Sequence, residues 1–164
     1  MLSEEITTWS NIEAPGVPAP DHDREKLGSS TSRELQPLLD SALEWGRELL
    51  DEAGERDYAA LLKYPPTVGW TRTPVKGAYA YWIPRISGRK KGQQEIRVNR
   101  VLRAPATQVP DEVLEFLLWH ELCHHVLPGQ GHDAEFHRLL FLWPDTARLD
   151  FAIDQLSEQY DTGL

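Results

Sequence analysis

Apolar residues recur through residues 33–53 at steps of three and four: Leu35, Leu38, Leu39, Leu43, Leu49 and Leu50, with Ala42 and Trp45 among them. That spacing lays them along one side of a helix. Thr31 and Glu34 have capping-box spacing at its start, Pro37 falls in its first turn, and Gly54 closes it. A short helix is expected over 56–63, ended by Tyr64-Pro65-Pro66.

The period then changes. Residues 68–70 read as a short strand, and 78–83, Ala-Tyr-Ala-Tyr-Trp-Ile, as an aromatic, β-favouring one. A turn follows at 87–92. Residues 95–99 alternate polar and apolar, a pattern that Val101 continues. Pro84 marks the first arm of this hairpin as an edge strand or as ending there.

Helical spacing returns after Pro110, which suits a first helical position, with Asp111 and Glu112 in the first turn. Val113, Leu114, Phe116, Leu117, Leu118, Leu122 and Val126 make this helix apolar on most sides, so it is expected to be central and buried. Pro128-Gly129 ends it. Further helices are expected over 133–142, stopped by Trp143-Pro144, and over Thr146–Gln159. Trp119 and Trp143 read as core. No repeat is visible.

Composition limits what these elements can be. A chain of 164 residues with 40% hydrophobic content and six Trp can build one core, so one domain is expected over 31–164. Residues 1–30, rich in Pro, Gly and Ser, lack the apolar content to offset the entropy of ordering and read as a flexible tail. The first residues show neither a basic region nor an apolar run, so no signal peptide is expected. No stretch approaches the roughly 20 apolar residues of a membrane span. One cysteine, Cys123, allows no internal disulfide and points to a reducing, cytoplasmic setting. Cys123 itself reads as a small buried residue.

Charge is uneven. Between Arg72 and Arg103 stand nine basic residues against one acid, Glu95, a net +8 that leaves −17 for the rest of a chain whose total is −9. Such asymmetry suits DNA or an acidic partner docking on the hairpin 85–103, with Arg89, Lys90 and Lys91 at its tip as the candidate nucleic-acid contacts. The plainer reading is a solvated hairpin.

The chemistry sits on the central helix. Five of the six histidines lie within residues 120–137, and His120-Glu121-Leu122-Cys123-His124 is an HExxH sequence. Residues four apart share a helix face, so His120 and His124 can aim at one Zn²⁺. Glu121 then lies beside the metal, placed to take a proton from a zinc-bound water and return it to a leaving amine. A catalytic zinc needs a third protein ligand. His132, following the Pro128-Gly129-Gln130-Gly131 turn, is the best placed, with Glu135 and His137 as alternatives; His125 points about 100° away from His124 around the helix. The competing reading is a core helix whose histidines bond to backbone carbonyls. Tyr79, Tyr81 and Trp82 are candidate substrate-binding residues, because an edge strand beside a metal site can take up an extended peptide. Strand aromatics also serve as packing.

Taken in order, Trp70, the run Ile96-Arg97-Val98-Asn99-Arg100-Val101-Leu102, the HExxH sequence, and His132-Asp133-Ala134-Glu135-Phe136 resemble the SprT-like and YgjP-like zinc metallopeptidases over residues 68–140. The resemblance implies His132 as third ligand, Phe136 as a packing residue under the site, one catalytic zinc, and a protein or peptide substrate. Some proteins of this kind act on DNA-bound proteins. It also implies an α+β, zincin-like fold, in which a small antiparallel sheet, the hairpin, packs on a helical bundle containing the motif helix. Thr71-Arg72 replaces the usual Gly-Ser after the tryptophan, and no Cys-rich zinc ribbon follows. A non-catalytic zinc-binding interaction module is the alternative outside enzymology.

Overall fold

A computed structural model describes residues 33–75, 78–84, 92–103, 109–129 and 131–159. Five α-helices and three strands follow one another as α1 (Gln36–Glu52), α2 (Arg56–Leu61), β1 (Thr67–Trp70), β2 (Ala80–Pro84), β3 (Gln94–Val98), α3 (Asp111–Val126), α4 (Ala134–Leu140) and α5 (Thr146–Gln159). The fold is α+β. None of the described helices is long and apolar enough to cross a membrane. The expected flexible tail at 1–30 lies outside the described residues.

α3 is the hub. α1, α4, α5, β2 and β3 all pack on it. Its surface explains this: twelve of its sixteen residues are buried, including both motif histidines and Glu121. A helix that is apolar all round must be surrounded. Pro110 precedes its first turn in an extended conformation (φ −64°, ψ 150°) as the N-cap, one position before the expected one, and Asp111 and Glu112 complement the helix dipole. α1 carries its apolar stripe, Leu39, Ala42, Leu43 and Leu50, against this hub, with Pro37 in its first turn. Thr31 of the expected capping box lies outside the described residues. Leu35 is the N-cap and makes no side-chain cap bond. Glu34 instead accepts from the Arg103 guanidinium at 2.7 Å, and Arg103 holds its carboxyl below the usual range.

The two arms of the expected hairpin pair antiparallel, but the sheet as a whole is not antiparallel. Its order is β1-β3-β2, and it is mixed: β3 pairs antiparallel with β2 and parallel with β1. β1 runs in the same direction as β3, a direction that strand composition does not reveal. Val101 does not extend β3 either, since residues Arg100–Arg103 form a 3-10 turn.

Register sets the faces. Val68, Ile96 and Trp82 align across the three strands and join the core under α3, as do Val98 and Ala80. The opposite face is also closed. Tyr81 and Ile83 cluster there with Val75 and Ala78, and the Arg97–Glu95 ion pair at 3.3 Å lies beside them with side chains 1% and 2% exposed. The alternation over 95–99 therefore separates two buried faces rather than core from solvent.

Asn99 pins the loop that reaches this second face. Its side-chain amide donates to the carbonyls of Val75 (2.7 Å) and Ala78 (2.9 Å), while its Oδ1 accepts from the amides of Val75 and Val101. Thr71 adds to the clamp: its Oγ1 donates to the Thr73 carbonyl and accepts from the Arg100 amide.

Candidate metal centre

Three imidazoles converge at the C-terminal half of α3. The Nε2 of His132 lies 3.2 Å from Nε2 of His120 and 3.0 Å from Nε2 of His124. His120 and His124 come together because they are one helical turn apart on α3. His132 arrives from the loop after it. Gly129 takes φ +76°, a conformation that favours glycine, and turns the chain back. Asp133 then caps α4, its Oδ1 accepting from the Phe136 amide at 2.9 Å. This cap fixes the residue just after His132 and sets Phe136 beneath the cluster. The Phe136 ring is fully buried, with its centroid 4.6–5.0 Å from all three histidine rings.

The three histidines lie close enough to hold a metal ion. The donor set fits one. Each of the three neutral imidazoles can offer an Nε2 lone pair to one ion at the same time. Ligands at about 2.0–2.1 Å around a tetrahedral ion stand about 3.3 Å apart, close to the spacings seen here. Among the described residues, this is the one such cluster of metal-ligating side chains. Neither Glu135 nor His137, the alternative third ligands, joins it. Glu135 instead accepts from Tyr58 at 3.4 Å and pairs with Arg138. His137 stacks between Phe141 and His132, with ring centroids 5.7 and 6.5 Å away.

Glu121 is fully buried, its Oε2 3.9 Å from Nε2 of His120. His132 is the partly exposed member of the trio. Cys123 is buried on the same helix, and burial, followed by the nearby Glu121 carboxylate, pushes its thiol well above the ordinary range.

His125 has a different set of contacts. Its Nε2 donates to the Tyr64 carbonyl at 2.9 Å, since a carbonyl can only accept. Its Nδ1 is then the acceptor for the Trp82 indole N–H at 3.4 Å. Burial lowers its pKa, partly countered by the Tyr64 and Leu61 carbonyls, which favours this neutral tautomer. Helical spacing alone assigns His125 no role beyond its unsuitability as a ligand. Its partners are 43 and 61 residues away, so no local pattern announces them.

The candidate substrate residues are placed less simply. Tyr79 and Trp82 pack into the main core and Tyr81 into the cluster on the far face, at 1%, 9% and 8% exposure. The strand lies at the edge of the sheet, since among the described residues β2 pairs with β3 alone, yet Ala80 and Ile83 are also buried there. Arg89, Lys90 and Lys91 lie outside the described residues. Of the other basic residues in that segment, Arg97 pairs with Glu95, Arg100 donates to the carbonyls of Thr71 and Arg72, and Arg103 binds Glu34. These three serve the fold. No protein-family model matches the chain, and no curated protein matches it either.

Proposed function

We propose that the protein is a zinc-dependent metallopeptidase of the SprT-like or YgjP-like kind. The observation that carries this reading is the convergence of the His120 and His124 Nε2 atoms to within 3.2 Å of His132 Nε2, with the Glu121 carboxylate 3.9 Å from His120 Nε2. His120, His124 and His132 would hold the ion. Three imidazoles suit zinc, and three protein ligands rather than four leave a position open for chemistry. Bound zinc supplies Lewis acidity, polarising a carbonyl and making water nucleophilic near neutral pH. Glu121 takes the proton of the attacking water and passes it to the amine that leaves as the peptide bond breaks. Phe136 restricts the three imidazole rings. An extended substrate strand can pair with the backbone edge of β2 once it displaces what covers Ala80 and Ile83.

Two variants test this together. Glu121→Gln should keep bound zinc yet lose about 10²- to 10⁴-fold in cleavage of an unfolded protein substrate. His132→Ala should lose the metal under conditions that keep the wild type loaded, as read by elemental analysis. Cleavage by Glu121→Gln at the wild-type rate would rule out the mechanism.

A further inference from the structure

His125 follows a candidate ligand directly and lies in the last turn of α3, two residues before its C-cap Leu127. The last carbonyls of a helix lack intrahelical partners, so a terminal turn frays unless tertiary contacts hold it. Here both ring nitrogens of one side chain are bonded to other elements. Nε2 donates to the Tyr64 carbonyl in the connection between α2 and β1, and Nδ1 accepts from Trp82 at the centre of β2. The Trp82 and His125 rings also meet edge to face, with centroids 6.3 Å apart. Trp82 is anchored from the other side, since its residue pairs with Ile96 in register.

We propose that His125 is a positioning residue: it locks the edge strand β2 to the last turn of α3, and so holds both His124 and the substrate-pairing edge at set places. The two effects have one cause. Releasing His125 frees the turn carrying His124, and it frees the strand at Trp82. Only the second effect on catalysis rests on the peptidase reading, while metal binding and strand stability can be measured without it.

The test uses the full-length chain with His125→Ala, His125→Gln and Trp82→Phe. Glutamine can accept from Trp82 and donate to Tyr64, and phenylalanine removes the indole N–H while filling much of its space. Amide hydrogen exchange over Ala80–Ile83 should speed up roughly three- to tenfold in His125→Ala and Trp82→Phe, the range of one lost hydrogen bond. Zinc affinity, from competition with a chelator, should fall about tenfold in His125→Ala. His125→Gln should recover most of both. For an extended peptide substrate, Trp82→Phe should raise KM with kcat held. Wild-type exchange and zinc affinity in His125→Ala would overturn the proposal. So would an unchanged KM in Trp82→Phe when its exchange has risen. If the wild type cleaves no peptide, the peptidase reading fails, and exchange and zinc affinity still decide the role of His125.

Discussion

Asn99 is fully buried and its amide makes four side-chain hydrogen bonds, with Val75, Ala78 and Val101. An asparagine side chain offers two donors and a two-lone-pair acceptor, so its capacity is filled. Asn99→Ala strands the buried backbone groups of the 71–79 loop at about 1–3 kcal/mol each. We expect it to destabilise the fold by about 2–4 kcal/mol in denaturant titration, several times the effect of a typical surface change. Individual residues were unevenly legible in the sequence. The grouping of His120, His124 and His132 was legible because residues four apart share a helix face and a Pro-Gly turn brings the chain back. Asn99 was not: its bonds to Val75 and Ala78 span 24 and 21 residues, and locally it is only a polar position at a strand end. Glu95 and Arg97 misled for a related reason. Charges alternating with apolar residues normally face water, and only the tertiary pairing shows that these two face each other in a buried layer.

The individual elements followed local signals closely. α5 spans the expected residues, and α1, α2 and α4 sit within or against theirs, because periodicity and Pro or Gly stops act within a few residues. Pairing between elements does not follow from such signals. The parallel β1–β3 contact joins Val68 to Ile96, and no composition distinguishes a parallel partner from an antiparallel one. The shortest functional element, α4, depends on its cap. Seven residues make a helix with little stability of its own, so the bond from the Phe136 amide to Asp133 matters more than it would in a long helix. Asp133→Ala should cost about 0.5–2 kcal/mol of stability. Because the same cap fixes the backbone next to His132, zinc affinity should fall with it, which isothermal titration would read. A variant that loses stability but binds zinc as the wild type does would separate the cap from the site.

The molecule as a whole is held by close packing around α3, and one contact sets its tightest approach. A Cβ placed on Gly46 of α1 would stand 2.5 Å from the Trp119 ring. Trp119 cannot withdraw easily: it stacks on Trp143 at 5.5 Å, and its indole N–H donates to the Leu140 carbonyl at 3.3 Å. Gly46→Ala should therefore destabilise by about 1–3 kcal/mol by overpacking, despite alanine's better helix propensity, and thermal melting would show it. Local helical spacing does not reveal this requirement, because Trp119 lies 73 residues further along the chain.

The order β1-β3-β2 has a consequence for how the chain comes to be folded. The central strand is the last of the three to be synthesised. Until Gln94–Val98 is available, Thr67–Trp70 and Ala80–Pro84 have no partner in the sheet, and the parallel pair closes a loop of 28 residues from Val68 to Ile96. Long-range pairing of this kind slows folding relative to local helix formation. The helices α1 and α2 can form first, while the sheet waits for β3. The HExxH helix is made only after that strand, so the surface on which α3 docks can be assembled before the residues of the metal centre arrive.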